Sequence, residues 1–122
     1  MSHVPVIAVV DDDAAIREAM DDLLDSYGYK CVQFASAEDF LAFERRDGFD
    51  CMIVDVKMPG LSGIELQDLL NNVDDSPPII FVTSYKDEKT RASCMNGGAL
   101  AVFTKPVEVE QFIERLRSAI GH

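Results

Sequence analysis

The chain has 122 residues, enough for one domain with a sizeable core, and its 48% content of hydrophobic residues excludes intrinsic disorder. A formal net charge of −11, from 22 acidic and 11 basic residues, would repel phosphate backbones, so we expect no direct binding of DNA or RNA. No apolar run approaches the roughly 20 residues that cross a bilayer and no export signal opens the chain, so we expect a cytoplasmic protein without membrane contact.

The first part of the chain alternates strand-like and helix-like patterns. Val6–Val10 is an apolar run that predicts a strand, and apolar residues over 16–27 then recur at helical spacing. Because aspartate is a favoured helix cap, we expect one of Asp12 and Asp13 to cap this helix. A second strand is predicted over 29–34.

The alternation continues through the next unit. Ser36 opens a second predicted helix, which carries Phe43 and ends near Gly48. A third apolar run over 51–54 then predicts a strand that runs directly into Asp55.

The third helix is marked by its start. A turn is predicted at 58–60, and residues 62–65 have the form of a capping box. The apolar face of the helix that follows reaches Val73. A proline-containing break at 76–78 separates it from a fourth predicted strand over 79–82.

The last units complete the pattern. Residues 87–96 form a weakly amphipathic segment that predicts a fourth helix, and 101–104 predict a fifth strand leading to Lys105 and Pro106. Apolar residues at helical spacing over 112–120 predict a closing fifth helix.

Five consecutive strand–helix units define the fold class as α/β, with a doubly wound five-stranded parallel sheet and helices on both faces. The first, third and fourth strand segments are apolar throughout, as strands buried on both sides should be. We expect residues 1–122 to form a single domain. In such folds, ligands bind beyond the carboxyl ends of the strands, where the strand order reverses.

Four predicted strands end in a polar residue suited to holding a phosphoryl group. Aspartates 11–13 follow the first strand, Asp55 follows the third, Thr83 follows the fourth and Lys105 follows the fifth. The carboxyl ends of neighbouring parallel strands lie at one edge of a sheet. Clustered carboxylates, a hydroxyl and an ammonium should therefore meet there.

The acidic part of this set predicts a metal site. Carboxylates at Asp11, Asp12 and Asp55 would repel one another in a crevice, so the cluster should raise a pKa or recruit a cation. Oxygen ligands favour Mg²⁺, Mn²⁺ or Ca²⁺ over zinc or copper. Mg²⁺ fits best, because proteins usually hold it through one or two carboxylates together with a substrate phosphate.

The same edge predicts phosphoryl chemistry at Asp55. As a nucleophile, its carboxylate would attack phosphorus and form an acyl phosphate. Mg²⁺ and Lys105 would neutralise charge on the transferred oxygens, and Thr83 would donate a hydrogen bond to one of them.

These motifs resemble those of the receiver domains of two-component response regulators, and the resemblance covers essentially the whole chain. The motifs are Val10-Asp11-Asp12-Asp13, Asp55-Val56-Lys57-Met58-Pro59-Gly60 with Gly63, Thr83-Ser84 and Lys105-Pro106. The resemblance implies a flavodoxin-like (βα)₅ fold with strand order 2-1-3-4-5. It also implies a cis peptide bond between Lys105 and Pro106.

The resemblance further implies a signalling function. Asp55 would accept a phosphoryl group from the phosphohistidine of a sensor histidine kinase or a phosphotransfer protein. Asp12, Asp55 and the backbone carbonyl of Lys57 would bind Mg²⁺, with Asp11 acting largely through water. Thr83 and Lys105 would sense the phosphorylation of Asp55.

The resemblance implies a signalling phosphoacceptor rather than an enzyme acting on free substrates. It would catalyse only its own phosphorylation and dephosphorylation. The surface formed by the fourth helix, fifth strand and fifth helix would carry the signal to an output domain or to a second copy of the chain. Residues 34–41 are similar to receivers that precede helix-turn-helix domains, although we expect no output domain within these 122 residues.

One position departs from the receiver pattern. Receivers usually place Tyr or Phe three residues before the lysine, whereas this chain has Val102 there and Phe103 one step later. Because side chains alternate along a strand, Phe103 should point to the face opposite Val102. We therefore expect either a smaller displacement of Val102 on phosphorylation or a different output surface.

Three other interpretations are less well supported. An Mg²⁺-dependent phosphatase with an aspartyl nucleophile would favour an Asp-x-Asp motif and a cap domain, and 55–57 lack that motif. A flavodoxin-like cofactor module would need a loop rich in Gly, Ser or Thr where aspartates 11–13 stand. A receiver-like interaction module that is no longer phosphorylated is disfavoured because all four site positions are filled.

Overall fold

Strands and helices alternate throughout the part of the chain that the computed structural model describes, which is residues 4–43, 48–72, 77–84 and 87–120. The strands are β1 (Val6–Val10), β2 (Lys30–Phe34), β3 (Cys51–Asp55), β4 (Ile79–Thr83) and β5 (Ala101–Thr104). The helices are α1 (Ala14–Ser26), α2 (Ala37–Ala42), α3 (Gly63–Leu70), α4 (Glu88–Asn96) and α5 (Val109–Ile120). Each predicted strand is present within two residues of its predicted bounds.

The five strands form one parallel sheet in the order β2-β1-β3-β4-β5, which confirms the predicted fold class and strand order. Because the chain first moves outward from β1 to β2 and then returns to β3, the strand order reverses between β1 and β3. A crevice at the carboxyl edge is expected at this switch point. Among the described residues, no helix combines the length and apolar character needed to cross a membrane.

Two apolar layers cover the two faces of the sheet. Helices α1 and α5 pack on one face, where the fully buried helical side chains are Leu24, Phe112 and Leu116. Helices α2, α3 and α4 pack on the other face, where those side chains include Phe40, Leu66 and Cys94. The central strands are therefore buried on both sides, as their uninterrupted apolar sequence predicted.

The helix starts follow the predicted capping chemistry. Asp13 is the residue that caps α1, since its carboxylate accepts hydrogen bonds from the backbone N–H groups of Ala15 and Ile16. At α3, the Ser62 hydroxyl accepts from the Glu65 N–H while the Glu65 carboxylate accepts from the Ser62 N–H. This is the predicted capping box, and it fixes the direction in which the chain leaves the site.

The prediction for the second helix was wrong at its end. Helix α2 stops at Ala42, and Phe43 is extended with φ −76° and ψ 127°. In this conformation the Phe43 ring packs edge-on against Phe34, with ring centroids 5.2 Å apart. Aromatic packing overrides the helical periodicity. Helix α3 ends at Leu70 with Asn71 as its C-cap, short of its predicted reach, and Val73 itself lies outside the described residues.

Candidate functional site

Three aspartates meet at the switch point. Val10 of β1 lies beside Val54 of β3, so Asp11 and Asp55 leave adjacent strands at the same level. One carboxylate oxygen from each of Asp11, Asp12 and Asp55 lies within 4.8 Å of the others. Asp11 is buried, Asp55 is half-buried and Asp12 is exposed, so the cluster opens to solvent on the Asp12 side.

Lys105 reaches this cluster from the end of β5. Its Nζ donates a hydrogen bond to Oδ2 of Asp11 at 3.3 Å and lies 3.6 Å from Oδ2 of Asp55. The three side chains are only 6% to 18% exposed, so their charges are weakly screened by water. Among the described residues, the Lys105 ammonium lies against this cluster of three carboxylates, and the site keeps an excess of negative charge.

The environment of Asp55 favours its protonated form more than water does. Burial raises the pKa of the Asp55 carboxyl to about 6, and the negative charge of Asp11 adds to this effect. The Lys105 ammonium and the backbone N–H of Lys57, which donates a hydrogen bond to the Asp55 carboxylate, act in the opposite direction. Asp55 is therefore an ionised but poorly solvated carboxylate at neutral pH, which suits a nucleophile.

The donor set fits Mg²⁺. The side chains that converge are carboxylates, and hard oxygen donors with excess negative charge suit a hard divalent cation. A cation here would offset the repulsion from Asp11 that, after burial, contributes to the raised pKa of Asp55. The backbone carbonyl of Lys57 remains a predicted donor, and Lys57 is placed beside the cluster by its hydrogen bond to Asp55.

Thr83 ends β4 at the same edge. Asp55 pairs with Val82, so Thr83 stands one residue beyond the level of Asp55 on the neighbouring strand. Its side chain is almost fully buried, and its carbonyl accepts a hydrogen bond from the Lys105 N–H at 2.8 Å. The structure thus brings Thr83 and Lys105 together through the backbone, while the contact of the Thr83 hydroxyl with a phosphoryl group stays a prediction.

The fifth strand has the side-chain orientation that the sequence predicted. Val102 is buried in the apolar layer under α2, α3 and α4, whereas Phe103 lies on the opposite face with its ring 5.6 Å from that of Phe112. The Lys105–Pro106 peptide bond is cis, which confirms that prediction. Arg91 of α4 also donates a hydrogen bond from Nη1 to the Val102 carbonyl at 3.0 Å, so α4 is tied to this strand.

Two residues that bond to the backbone around the site were not among the predicted site residues. Arg17 of α1 donates from Nη1 to the Asp11 carbonyl at 2.7 Å, and Glu38 of α2 accepts from the Leu61 N–H at 3.0 Å. A signal existed for Arg17, because it stands one helical turn after the capping residue Asp13. No local signal marks Glu38, because its partner is 23 residues away.

Fold and site together define a flavodoxin-like α/β domain with an acidic site at its switch point. The chain belongs to the family of response regulator receiver domains, since the family model described as "Response regulator receiver domain" matches residues 7–117. It is therefore a signalling domain of the two-component type.

Curated relatives include transcriptional regulators. The chain is 36% identical over 115 residues to the response regulator protein TodT of Pseudomonas putida, covering 94% of this chain and 51% of TodT. It is 37% identical over 114 residues to the transcriptional regulatory protein FixJ of Bradyrhizobium diazoefficiens, covering 93% of this chain and 56% of FixJ. The chain thus spans about half the length of these relatives.

Solved structures show the same fold. The crystal structure of a CheY-like response regulator receiver domain protein from Methanospirillum hungatei JF-1 superposes with a TM-score of 0.88 at 28% identity. The match covers 98% of this chain and 95% of that one, so it includes all five strand–helix units.

Proposed function

We propose that this chain is a single receiver domain, spanning residues 1–122, that accepts a phosphoryl group on Asp55. The donor would be the phosphohistidine of a sensor histidine kinase or of a phosphotransfer protein. The observation that carries the proposal is the position of the Lys105 ammonium, 3.6 Å from Asp55 and 3.3 Å from Asp11 at the switch point. A cation held against two weakly exposed carboxylates suits an anionic group that is transferred to one of them.

The proposed reaction is a direct displacement at phosphorus. A carboxylate oxygen of Asp55 forms the new O–P bond while the N–P bond of the phosphohistidine breaks, and the electron pair leaves with the imidazole nitrogen, which is protonated by solvent. The Lys105 ammonium offsets negative charge on the transferred oxygens, and the Thr83 hydroxyl donates a hydrogen bond to one of them. Hydrolysis of the acyl phosphate by water would reset the domain.

Asp11, Asp12 and Asp55, with the Lys57 carbonyl, would hold the Mg²⁺ ion. When bound, this ion supplies positive charge beside the transferred phosphoryl oxygens. The chain's own contribution is to keep the three carboxylates within 4.8 Å of one another, with Lys105 on the Asp11 side.

Phosphorylation would act on the surface formed by α4, β5 and α5. It adds roughly −1.5 to −2 charges at the carboxyl edge, where Thr83 and Lys105 can follow the phosphoryl group. Since TodT and FixJ are about twice as long as the matched region, we propose that this domain regulates an output module, for example in a transcriptional regulator, or pairs with a second copy.

The net charge of −11 argues against nucleic-acid or membrane contact by the domain itself, and a cytoplasmic kinase domain is the expected donor.

The proposal is tested by incubating the chain with Mg²⁺ and acetyl phosphate. We expect one hydroxylamine-sensitive phosphoryl adduct, which maps to Asp55 after reductive trapping and is absent without divalent cation. Folded protein that forms no such adduct would contradict the proposal. Sustained turnover of a free phosphomonoester such as p-nitrophenyl phosphate would instead favour the aspartyl phosphatase interpretation.

A groove beside the site is suited to a protein donor. It has a volume of about 510 Å³ and runs between α1 and the residues that follow β5, and its lining is mainly apolar apart from Lys105. Ala19 and Leu23 line it on the α1 side and Val107 on the other. Because Lys105 belongs to both the groove and the acidic site, a helix seated in the groove could present a phosphohistidine to Asp55.

Replacing Ala19 with Arg should block this groove. We expect phosphotransfer from an autophosphorylated sensor kinase that is active on the unmodified chain to fall by about tenfold or more, because a charged side chain would have to be buried under the donor helix. Phosphorylation by acetyl phosphate, which needs no protein docking, should be unchanged. Asp22→Asn is the control, because it makes the same change in net charge on the exposed side of α1. If Ala19→Arg lowered phosphotransfer from the kinase and phosphorylation by acetyl phosphate equally, docking of the donor in this groove would be contradicted.

A further inference from the structure

The loop between β3 and α3, residues 56–62, follows Asp55 at the site and contains no helix or strand. On its inner side, the Lys57 N–H donates to the Asp55 carboxylate and the Gly63 N–H donates to the Val56 carbonyl at 2.8 Å. Met58 is buried and Leu61 packs against the same apolar layer. These contacts fix the two ends of the loop and its apolar side chains.

The outer side of the loop is held by a residue from another element. Oε2 of Glu38 in α2 accepts a hydrogen bond from the Leu61 N–H at 3.0 Å. The same carboxylate lies over Gly60, where an added Cβ would overlap it. Gly60 also has φ +76°, a conformation that favours glycine, so the loop backbone is shaped to receive the Glu38 carboxylate.

Glu38 is itself held in a fixed position. It stands in the first turn of α2, which is capped by Ser36 and anchored by the fully buried Phe40. The Phe40 ring packs edge-on against Phe34 of β2, with centroids 5.2 Å apart. A short helix with a capped start and a buried aromatic anchor gives the Glu38 side chain a rigid base.

From this geometry we infer that Glu38 is a positioning residue for divalent-cation binding. It acts through the hydrogen bond to Leu61, which restrains the 56–62 loop and with it the Lys57 carbonyl that would bind the cation. The inference deepens the proposed function and rests on Lys57 being a ligand. Mg²⁺ demands near-ideal octahedral geometry at short distances, so a small displacement of one donor lowers its affinity. Loss of a residue that orients a metal ligand commonly weakens metal binding tenfold or more.

A purely electrostatic role for Glu38 predicts a different result. If its negative charge attracted the cation at a distance, the neutral isostere Gln would weaken binding as much as Ala does. If the hydrogen bond is responsible, Glu38→Gln keeps an acceptor for the Leu61 N–H and should retain most of the affinity. Asp39→Ala is the matched control, because it removes an exposed carboxylate from the same first turn of α2.

The experiment is calorimetric titration of the four proteins with Mg²⁺ alone, together with amide hydrogen exchange at Leu61. We expect Glu38→Ala to raise the Mg²⁺ dissociation constant about tenfold and to speed exchange at Leu61. Glu38→Gln should stay within about threefold of the unmodified chain, and Asp39→Ala should match it. An unchanged dissociation constant in Glu38→Ala would overturn the inference, as would equal weakening by Gln and Ala or an unmodified chain that binds no Mg²⁺.

These outcomes are distinct from failure of the proposed function. If Mg²⁺ binds and Glu38→Ala weakens it, but acetyl phosphate leaves no adduct on Asp55, the positioning role stands and the phosphoacceptor role fails. If Asp55 is phosphorylated but the Glu38 variants bind Mg²⁺ as the unmodified chain does, the function stands and the positioning role fails.

Discussion

Asp55→Asn is expected to raise the free energy of unfolding by about 2 kcal/mol at about pH 7.5 in the absence of divalent cations, while abolishing phosphoryl acceptance. The stabilisation arises because the native state holds an ionised Asp55 that is 13% exposed and lies near Asp11. An amide at this position removes the unfavourable charge. It can still accept the hydrogen bond from the Lys57 N–H.

The stabilisation should depend on pH in a defined direction. The pKa of Asp55 is about 6 in the folded chain, against 3.8 for an unperturbed aspartate. Between these values the native state binds more protons at Asp55 than the unfolded state does. This residue's contribution to stability therefore falls as the pH rises from about 4 to 6, and the full destabilisation is present above pH 6.

Urea denaturation followed by circular dichroism, at several pH values and with a chelator present, measures this effect. The difference in unfolding free energy between Asp55→Asn and the unmodified chain should shrink steadily as the pH is lowered from about 7 to 4. The exposed Asp68 offers a matched Asp→Asn control with no expected gain. If the difference in unfolding free energy were the same at about pH 7 and about pH 4, the raised pKa of Asp55 would not be its cause.

Lys105→Met should lower the rate of phosphorylation by acetyl phosphate by about 100-fold or more, which is the usual effect of removing one charged donor from a developing anion. The substitution leaves three carboxylates without the ammonium that lies 3.3 Å from Asp11 and 3.6 Å from Asp55. Because Lys105 lowers the pKa of Asp55, its loss also reduces the ionised fraction of the nucleophile near neutral pH.

Initial rates of adduct formation at saturating Mg²⁺ measure this prediction. Lys105→Arg keeps the charge but changes the shape of the donor, so its rate should lie between those of the unmodified chain and Lys105→Met. Lys89, an exposed lysine in α4, provides a control through Lys89→Met. Equal rates for Lys105→Met and Lys89→Met would show that the ion pair is structural only.

The sequence was most informative where the signal was local and repeated. Each apolar run became a strand, and the polar residues after the strands meet because parallel strands bring their carboxyl ends to one edge. The caps at Asp13 and Ser62 were also predictable, since a cap and its backbone donors are two or three residues apart. Strand alternation was enough to separate Val102 from Phe103.

Contacts between distant segments were not predictable from a single sequence. Phe43 departs from the helical pattern because its ring packs against Phe34 of β2 and Phe49 before β3, and neither lies at the three- or four-residue spacing of helical neighbours. In the sequence, Glu38 is an ordinary acidic residue in the first turn of α2. Only the fold brings the Leu61 N–H within hydrogen-bond distance of it. Tertiary packing decides such positions, and local propensity carries no information about them.

The ion pair between Lys105 and Asp11 joins residues 94 positions apart in a chain of 122 residues. Closing so long a loop has an entropic cost that only the complete sheet offsets. The lysine meets the carboxylates only where β1, β3, β4 and β5 lie side by side in the sheet. A partly folded or truncated chain would therefore lack the assembled site, and under the proposed function phosphoryl uptake would require these four strands to be in place.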